Sequence, residues 1–229
     1  MIDRHALVSR HSPHLEADDP ALVLSLGNGD FGFTVDASGL QTFTTAHDCS
    51  SLDPRDPASA QVRITETATL STWGWHEEPN PEGYTLADTM HPYQTSHGPV
   101  DYPDTPSMER MMAVMTGQTT PELGDLAGLW LQANPHRLDL GRLGLILRPE
   151  PGAPAETDPS CLADVDAHLD LWRGRAHSTF TYTGEGVSVT TAVAGEGAVV
   201  ATRVVSPLLG NGRAALRLAV PNPSTGFSP

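Results

Sequence analysis

The chain has 229 residues and a mass of 24.4 kDa, with 38% hydrophobic and 18% charged residues, enough for one sizeable core or at most two small ones. Its 13 basic residues are all arginine and face 28 acidic ones, for a formal charge of −15, and no arginine run offsets that excess. Nucleic acid and anionic membranes are therefore excluded as expected partners. The longest apolar stretches are short and interrupted, and the opening MIDRHALVSRHSPHLEADDP lacks the apolar segment of a secretory signal, so a cytoplasmic protein is expected.

Glycine (21) and proline (20) punctuate short runs of Val, Ile, Thr and Leu, the pattern of many short strands joined by turns. Strands are predicted at 21–26 and 31–35 around the turn Gly27-Asn28-Gly29-Asp30, and at 40–45 after a second turn, giving a three-strand meander. Residues 53–58 read as loop, and 62–64 and 67–73 as strands. From 76 to 107 six prolines, several acids and three histidines show no period, which predicts a long irregular loop. One principal helix is expected near 121–133, capped by Thr119 or Thr120, with Leu123, Leu126, Ala127 and Trp130 on a buried face and Asn134-Pro135 as its stop. Leu138 and Leu140 alternate out of phase with Leu143, Leu145 and Leu147, and the slip at Gly141 suggests a β-bulge. Residues 149–160 form a surface loop. Five alternating runs follow, at 167–172, 178–183, 187–193, 198–205 and 213–220, most of them separated by Gly-x-Gly turns, and read as an antiparallel meander. The fold expected is an all-β, mainly antiparallel β-sandwich over residues 1–220, with ten or more strands and an irregular tail at 221–229. No internal repeat is detected.

Few side chains suggest chemistry. Trp73 and Trp75 flank Gly74, and on an extended segment residues i and i+2 share a face. The two indoles would then form a platform for the apolar face of a sugar ring, with His76 as a hydrogen-bond donor. The competing reading is that both rings pack in a core or against another domain, and full burial of both would remove the platform. Glu77 and Glu78 point to opposite sides of an extended chain and suit no acid/base pair. His11-x-x-His14, His47-Asp48 and the stretch from His91 to His97 lack the spacing of a metal motif, so no metal site is expected. Cys49 and Cys161 allow one disulfide at most, and Cys49 has no orienting base nearby that would make it a nucleophile. Arg137 and Arg173 are read as ion-pair partners of nearby acids such as Asp139 and Asp170. Neither a catalytic residue nor a cofactor is expected.

Several segments together carry a resemblance: Arg10-His11, LSLGNGDFGFTVDASGLQTF at 24–43, STWGWHEEPNPEGYTL at 71–86, NPHRLDLGRLGLIL at 134–147, LDLWRGRAHSTF at 169–180 and VVSPLLGNGRAALRL at 204–218. As a set they resemble bacterial proteins of the six-hairpin glycosidase group, in which an N-terminal β-supersandwich precedes a helical linker and a catalytic (α/α)6 barrel. The resemblance implies a non-catalytic N-terminal domain of a carbohydrate-active glycoside hydrolase-like enzyme. It would pack on the barrel, possess no glycosidase activity alone and bind carbohydrate only together with it. The barrel would need roughly 180 helical residues. No such segment is present, so a truncated gene product or fragment is expected, and no catalytic residue of the family is carried over. The alternative is a free-standing carbohydrate-binding or protein-interaction β-sandwich.

Overall fold

The computed structural model describes residues 2–15, 23–47, 68–104 and 106–220. They divide into two compact units: Trp75–Arg137 forms one, and the described residues up to 74 together with 138–220 form the other. The described residues are mostly antiparallel β-structure, with three short helices among them.

The first unit is sandwich-like. One sheet has five strands in the order β1 (His14–Leu15), β10 (Ala163–Asp170), β11 (Arg175–Tyr182), β12 (Glu185–Val193) and β13 (Val200–Val205). It fulfils the meander expectation, because period-two alternation puts Val165, Ala167, Leu169, Ala176, Phe180, Tyr182, Val187 and Val189 on one buried face. The opposing layer is β2 (Leu24–Gly27), β3 (Phe31–Val35) and β4 (Thr69–Ser71), accompanied by the pair β9 (Arg142–Leu147) and β14 (Ala214–Ala219). Leu24, Leu26, Phe31, Phe33, Val35, Leu145 and Leu147 complete one continuous core. The last strand leaves the meander and pairs with β9 instead, a long-range partnership that local pattern does not reveal.

The strand expected at 40–45 is absent. Residues 36–43 wrap instead around Asp36, whose buried carboxylate accepts hydrogen bonds from Ser38 N and Oγ, from Thr42 N and Phe43 N, and from His47 Nε2 at 3.3 Å. Backbone donors that a ladder would have used are satisfied by one side chain. Gly39 sits in this wrap at φ +78°, and a Cβ there would meet Val189 at 2.9 Å. The turn is pinned to the five-stranded sheet by Ser178 Oγ donating to Ala37 O and Thr191 Oγ1 donating to Gly39 O at 2.8 Å. Gly144 is equally constrained, since the backbone of Gln41 lies where its side chain would be. Asn28 serves the predicted hairpin turn and more: its Oδ1 accepts from Asp30 N and Phe31 N, and its Nδ2 donates to Ala194 O and Gly197 O, both at 2.9 Å, in the turn between β12 and β13.

The second unit corrects the expectation of an irregular loop at 76–107. A regular hairpin, β6 (Met90–Thr95) and β7 (Gly98–Pro103), occupies much of it, preceded by a 3-10 turn at Leu86–Thr89. Both faces of the hairpin are largely solvent-exposed, so no hydrophobic period marks it. Helix α2 (Met108–Met115) is capped by Ser107, whose Oγ accepts from Arg110 N. Helix α3 (Leu123–Ala133) agrees with the predicted principal helix, but its cap is Glu122, with Asp125 reaching back to Glu122 N. Ala127 is buried, Leu126 and Trp130 are half-buried, and Leu123 in the first turn is exposed. Helix α1 (Arg4–Ser9), capped by Asp3, belongs to the first unit and was not anticipated. The strand expected around Leu138–Leu147 is interrupted: residues 138–141 leave the ladder, with Gly141 at φ +137°. The readings at 53–58, 62–64, Cys49 and 221–229 lie outside the described residues.

Candidate functional site

The expected strand 67–73 extends only over Thr69–Ser71 within the described residues. Thr72 and Trp73 turn, closed by Gly74 N donating to Ser71 O at 3.1 Å. The extended geometry assumed for the two indoles therefore holds only from Trp75 onward. Trp73 is 69% exposed in the first unit, and Trp75 is 46% exposed in the second. Trp75 and His76 form the short strand β5, paired with β8 (His136–Arg137) so that Trp75 lies opposite Arg137. The Arg137 guanidinium sits 4.8 Å from the Trp75 ring centroid, a cation–π contact that covers one face of the indole. His76 Nε2 lies 3.6 Å from Glu78 Oε1, and Glu78 N donates to Asn134 Oδ1 at 2.6 Å. Asn134, at the end of α3, in turn donates to Trp130 O, so the helix terminus holds the strand that carries Trp75 and His76.

The same unit contains a cleft that the sequence did not disclose. A cavity of about 490 Å³ is bordered by Asp88, His91, Asp104, Arg110, Glu122 and Asp125. That volume is within the range of small-molecule sites. Arg110 donates from Nε and NH2 to both carboxylate oxygens of Asp125, at 2.7 to 3.2 Å, and its NH2 lies 3.6 Å from Glu122. The Arg110 hydrogen bond holds the Asp125 carboxyl below the usual carboxylate range, with the Glu122 N–H adding to the effect. Asp88 accepts from Thr85 N and Oγ1 in the 3-10 cap. Tyr93 is hydrogen-bonded to Asp104, which raises its hydroxyl pKa above the ordinary tyrosine value.

The hairpin extends this cleft with rings. His91 and Tyr93 alternate onto one face of β6, and Tyr102 of β7 stands opposite His91. Tyr93 and Tyr102 meet edge to face at 6.1 Å, each about half exposed. Four carboxylates, one guanidinium and one imidazole thus border the cleft, and the two phenol rings lie on the neighbouring hairpin, Tyr93 through its hydrogen bond to Asp104. Such a set accepts hydrogen bonds from neighbouring hydroxyls and offers a flat apolar face to a ring. Of the sequence-predicted residues, Trp75 and His76 share this unit but do not line the cleft. A mixture of two histidines, two tyrosines and two aspartates in HPYQTSHGPVDYPD was the signal available at 91–104, yet without period it pointed only to a loop.

Elsewhere, Arg173 pairs with Asp170 at 2.9 Å and Arg142, rather than Arg137, pairs with Asp139 at 3.1 Å. No helix among the described residues is long and apolar enough to cross a membrane. Comparison of the chain with protein families, with curated proteins and with solved structures found no match.

Proposed function

We propose that this chain is a non-catalytic accessory domain of a carbohydrate-active, six-hairpin glycosidase-like protein, working in the cytoplasm beside a catalytic barrel and contributing saccharide contacts from its second unit. The observation that carries the reading is the cleft bordered by Asp88, His91, Asp104, Arg110, Glu122 and Asp125, with Tyr93 and Tyr102 beside it. Aromatic faces next to charged planar hydrogen-bonding groups suit a ligand whose ring is apolar on its faces and hydroxylated at its rim. Trp75, half-exposed under Arg137, and Trp73 supply further ring surface in their respective units. A role beside another domain is favoured by β14, where Leu216 and Leu218 are exposed on one face of the strand and Val220 follows in the same alternation.

Calorimetric titration of the whole chain with a panel of neutral and acidic oligosaccharides tests this. Binding of at least one class is expected, weakened about tenfold or more by Tyr102→Ala and by Asp104→Asn. Aryl glycosides should not be turned over, and turnover abolished by one Asp or Glu substitution in this chain would refute the non-catalytic role. If no saccharide binds while a polyamine or a Lys-rich peptide does, the cleft is a cation site. The free-standing protein-interaction reading, supported by the exposed β14 face, then replaces the first.

A further inference from the structure

At one edge of the first unit the core face runs out from under its cover. Strand β14 pairs with β9 so that Ala214 stands opposite Leu147, Leu216 opposite Leu145 and Leu218 opposite Leu143, and directly opposed residues of an antiparallel pair share a face. The leucines of β14 therefore lie on the face where β9 buries Leu145 and Leu147, yet Leu216 is 52% exposed and Leu218 74%, and Val220 follows at 76%. The backbone of the same edge is open as well. Arg148 N donates to Arg213 O at 2.9 Å, which sets the ladder so that the odd-numbered residues of β14 bond to β9, while the N–H and C=O groups of Leu216 and Leu218 point away from it. Among the described residues nothing bonds to those groups, whereas the far edge of β9 is closed by Gln41 and Thr42, whose side chains accept from Leu143 N and Leu145 N. Neither a proline nor a bulge guards β14. Its one charged side chain, Arg217, stands opposite Gly144 on the other face, with Nε buried and without a hydrogen-bond partner.

We propose that the open edge of β14 takes an extended segment of a partner polypeptide as an added antiparallel strand, and that this segment reads apolar, acidic, apolar. Two apolar side chains across from Leu216 and Leu218 cover the leucines and carry the core face one strand further. The residue between them alternates onto the opposite face, across from Arg217, where a carboxylate supplies the acceptor that Nε lacks. Charge complementarity selects this partner over a second copy of the chain. If two β14 strands paired with their leucine faces together, Arg217 would stand across from Arg213, Ala215, Arg217 or Ala219 of the other copy, none of them an acid. Each copy would also bring a formal charge of −15. The edge itself is locally positive, because Arg148, Arg213 and Arg217 have no ion-pair partner among the described residues, unlike Arg142 with Asp139. The inference rests on the accessory-domain reading for where such a strand comes from, and on the first unit alone for the site.

The test is fluorescence anisotropy of a labelled peptide of about ten residues, serine and threonine around a central Val-Glu-Val, titrated with the whole chain. Saturable binding is expected, weakened about fivefold or more when the peptide's Glu is replaced by Gln. Arg217→Gln should weaken the Val-Glu-Val peptide as much and erase the difference between the two peptides. Leu218→Lys, which places a hydrated charge in the stripe, should weaken binding about tenfold or more, whereas Val199→Lys, at an exposed apolar position between β12 and β13, should change nothing. If the Leu218 variant fails to fold, Val220→Lys takes its place with the same loss expected. Absence of saturable binding, equal affinity for the Glu and Gln peptides, or binding untouched by the lysine variant would overturn the proposal. So would sedimentation of the chain as a dimer that Leu218→Lys dissociates, since a second copy would then occupy the edge. Saccharide titration separates this inference from the function proposed above: saccharide binding without peptide binding sinks the strand site alone, and peptide binding without saccharide binding sinks the cleft reading alone.

Discussion

In the first unit Phe33, Val35, Leu40, Phe43, Phe180, Val189 and Leu208 are all buried together, whereas in the second the one hydrophobic side chain that reaches full burial among the described residues is Ala127. The second unit is held by polar devices instead: the Arg110–Asp125 pair, the Ser107, Thr85 and Glu122 caps, and Asn134 bridging Glu78 N to Trp130 O. Its rings, by contrast, face solvent. Burying apolar surface gives a unit that opens only as a whole, while polar fastening leaves side chains outside for recognition at the expense of local stability. The two units therefore differ in what fastens them, apolar burial in the first and polar pairs in the second.

The sharpest way to break this comparison is to truncate a core side chain in each unit. Phe180→Ala should cost about 3–5 kcal/mol in urea-induced unfolding, and Leu126→Ala, only half-buried, about 1 kcal/mol. Equal losses would abolish the distinction. Next in size is Asp36→Ala, expected to cost about 3 kcal/mol because Ser38 N, Thr42 N and Phe43 N are left without their acceptor. Here the first unit too depends on a polar group, but a buried one.

The wrap around Asp36 also explains part of what the sequence could not reveal. Leu40, Gln41, Thr42 and Phe43 follow a glycine turn as a strand would, yet all four are buried, and the Asp36 carboxylate takes the N–H groups of Thr42 and Phe43. Along β10 to β13 the alternation was legible because one face of each strand meets the core and glycine turns mark most of the ends. The hairpin β6–β7 was illegible for the opposite reason: with both faces wet, Met90–Thr95 has no period to read, and Pro92, Pro99 and Pro103 argue against a strand. For the cleft, the sequence supplied acids and tyrosines but not their convergence. The contact of His14 with Asp166 was hidden by distance, the two being separated by 152 positions.

Alkaline titration sharpens the comparison through tyrosines. Burial, aided by the hydrogen bond to Glu156, pushes the Tyr182 hydroxyl up to about 12. Because the folded value is raised, the associated stability is complete below pH 10 and disappears between pH 10 and 12, a loss of about 2 kcal/mol. Ultraviolet titration should show Tyr182 ionising last and together with unfolding, and Tyr182→Phe should remove the coupling. Acid titration addresses the second unit. The Asp125 carboxyl is held down by Arg110, so its contribution is full above the ordinary carboxylate range and fades as pH falls through the lowered value. Asp125→Asn should lower stability by about 1 kcal/mol at neutral pH. The difference between the two proteins should vanish in strong acid. The smallest effect is expected at Trp73, whose exposed ring makes Trp73→Ala worth within about 0.5 kcal/mol in unfolding experiments.

Asn28 adds a chemical consequence to its structural one. Its amide is a donor at one end, towards Ala194 O and Gly197 O, and an acceptor at the other, towards Asp30 N and Phe31 N. The amides of Asn and Gln present both functions in one rigid plane, and Asn is the shorter. Hydrolysis of that amide during ageing, next to Gly29, would replace the donor by a carboxylate oxygen facing two carbonyls. Two turns now clipped together would repel each other, so the shelf life of the first unit is written partly in the integrity of a single nitrogen atom.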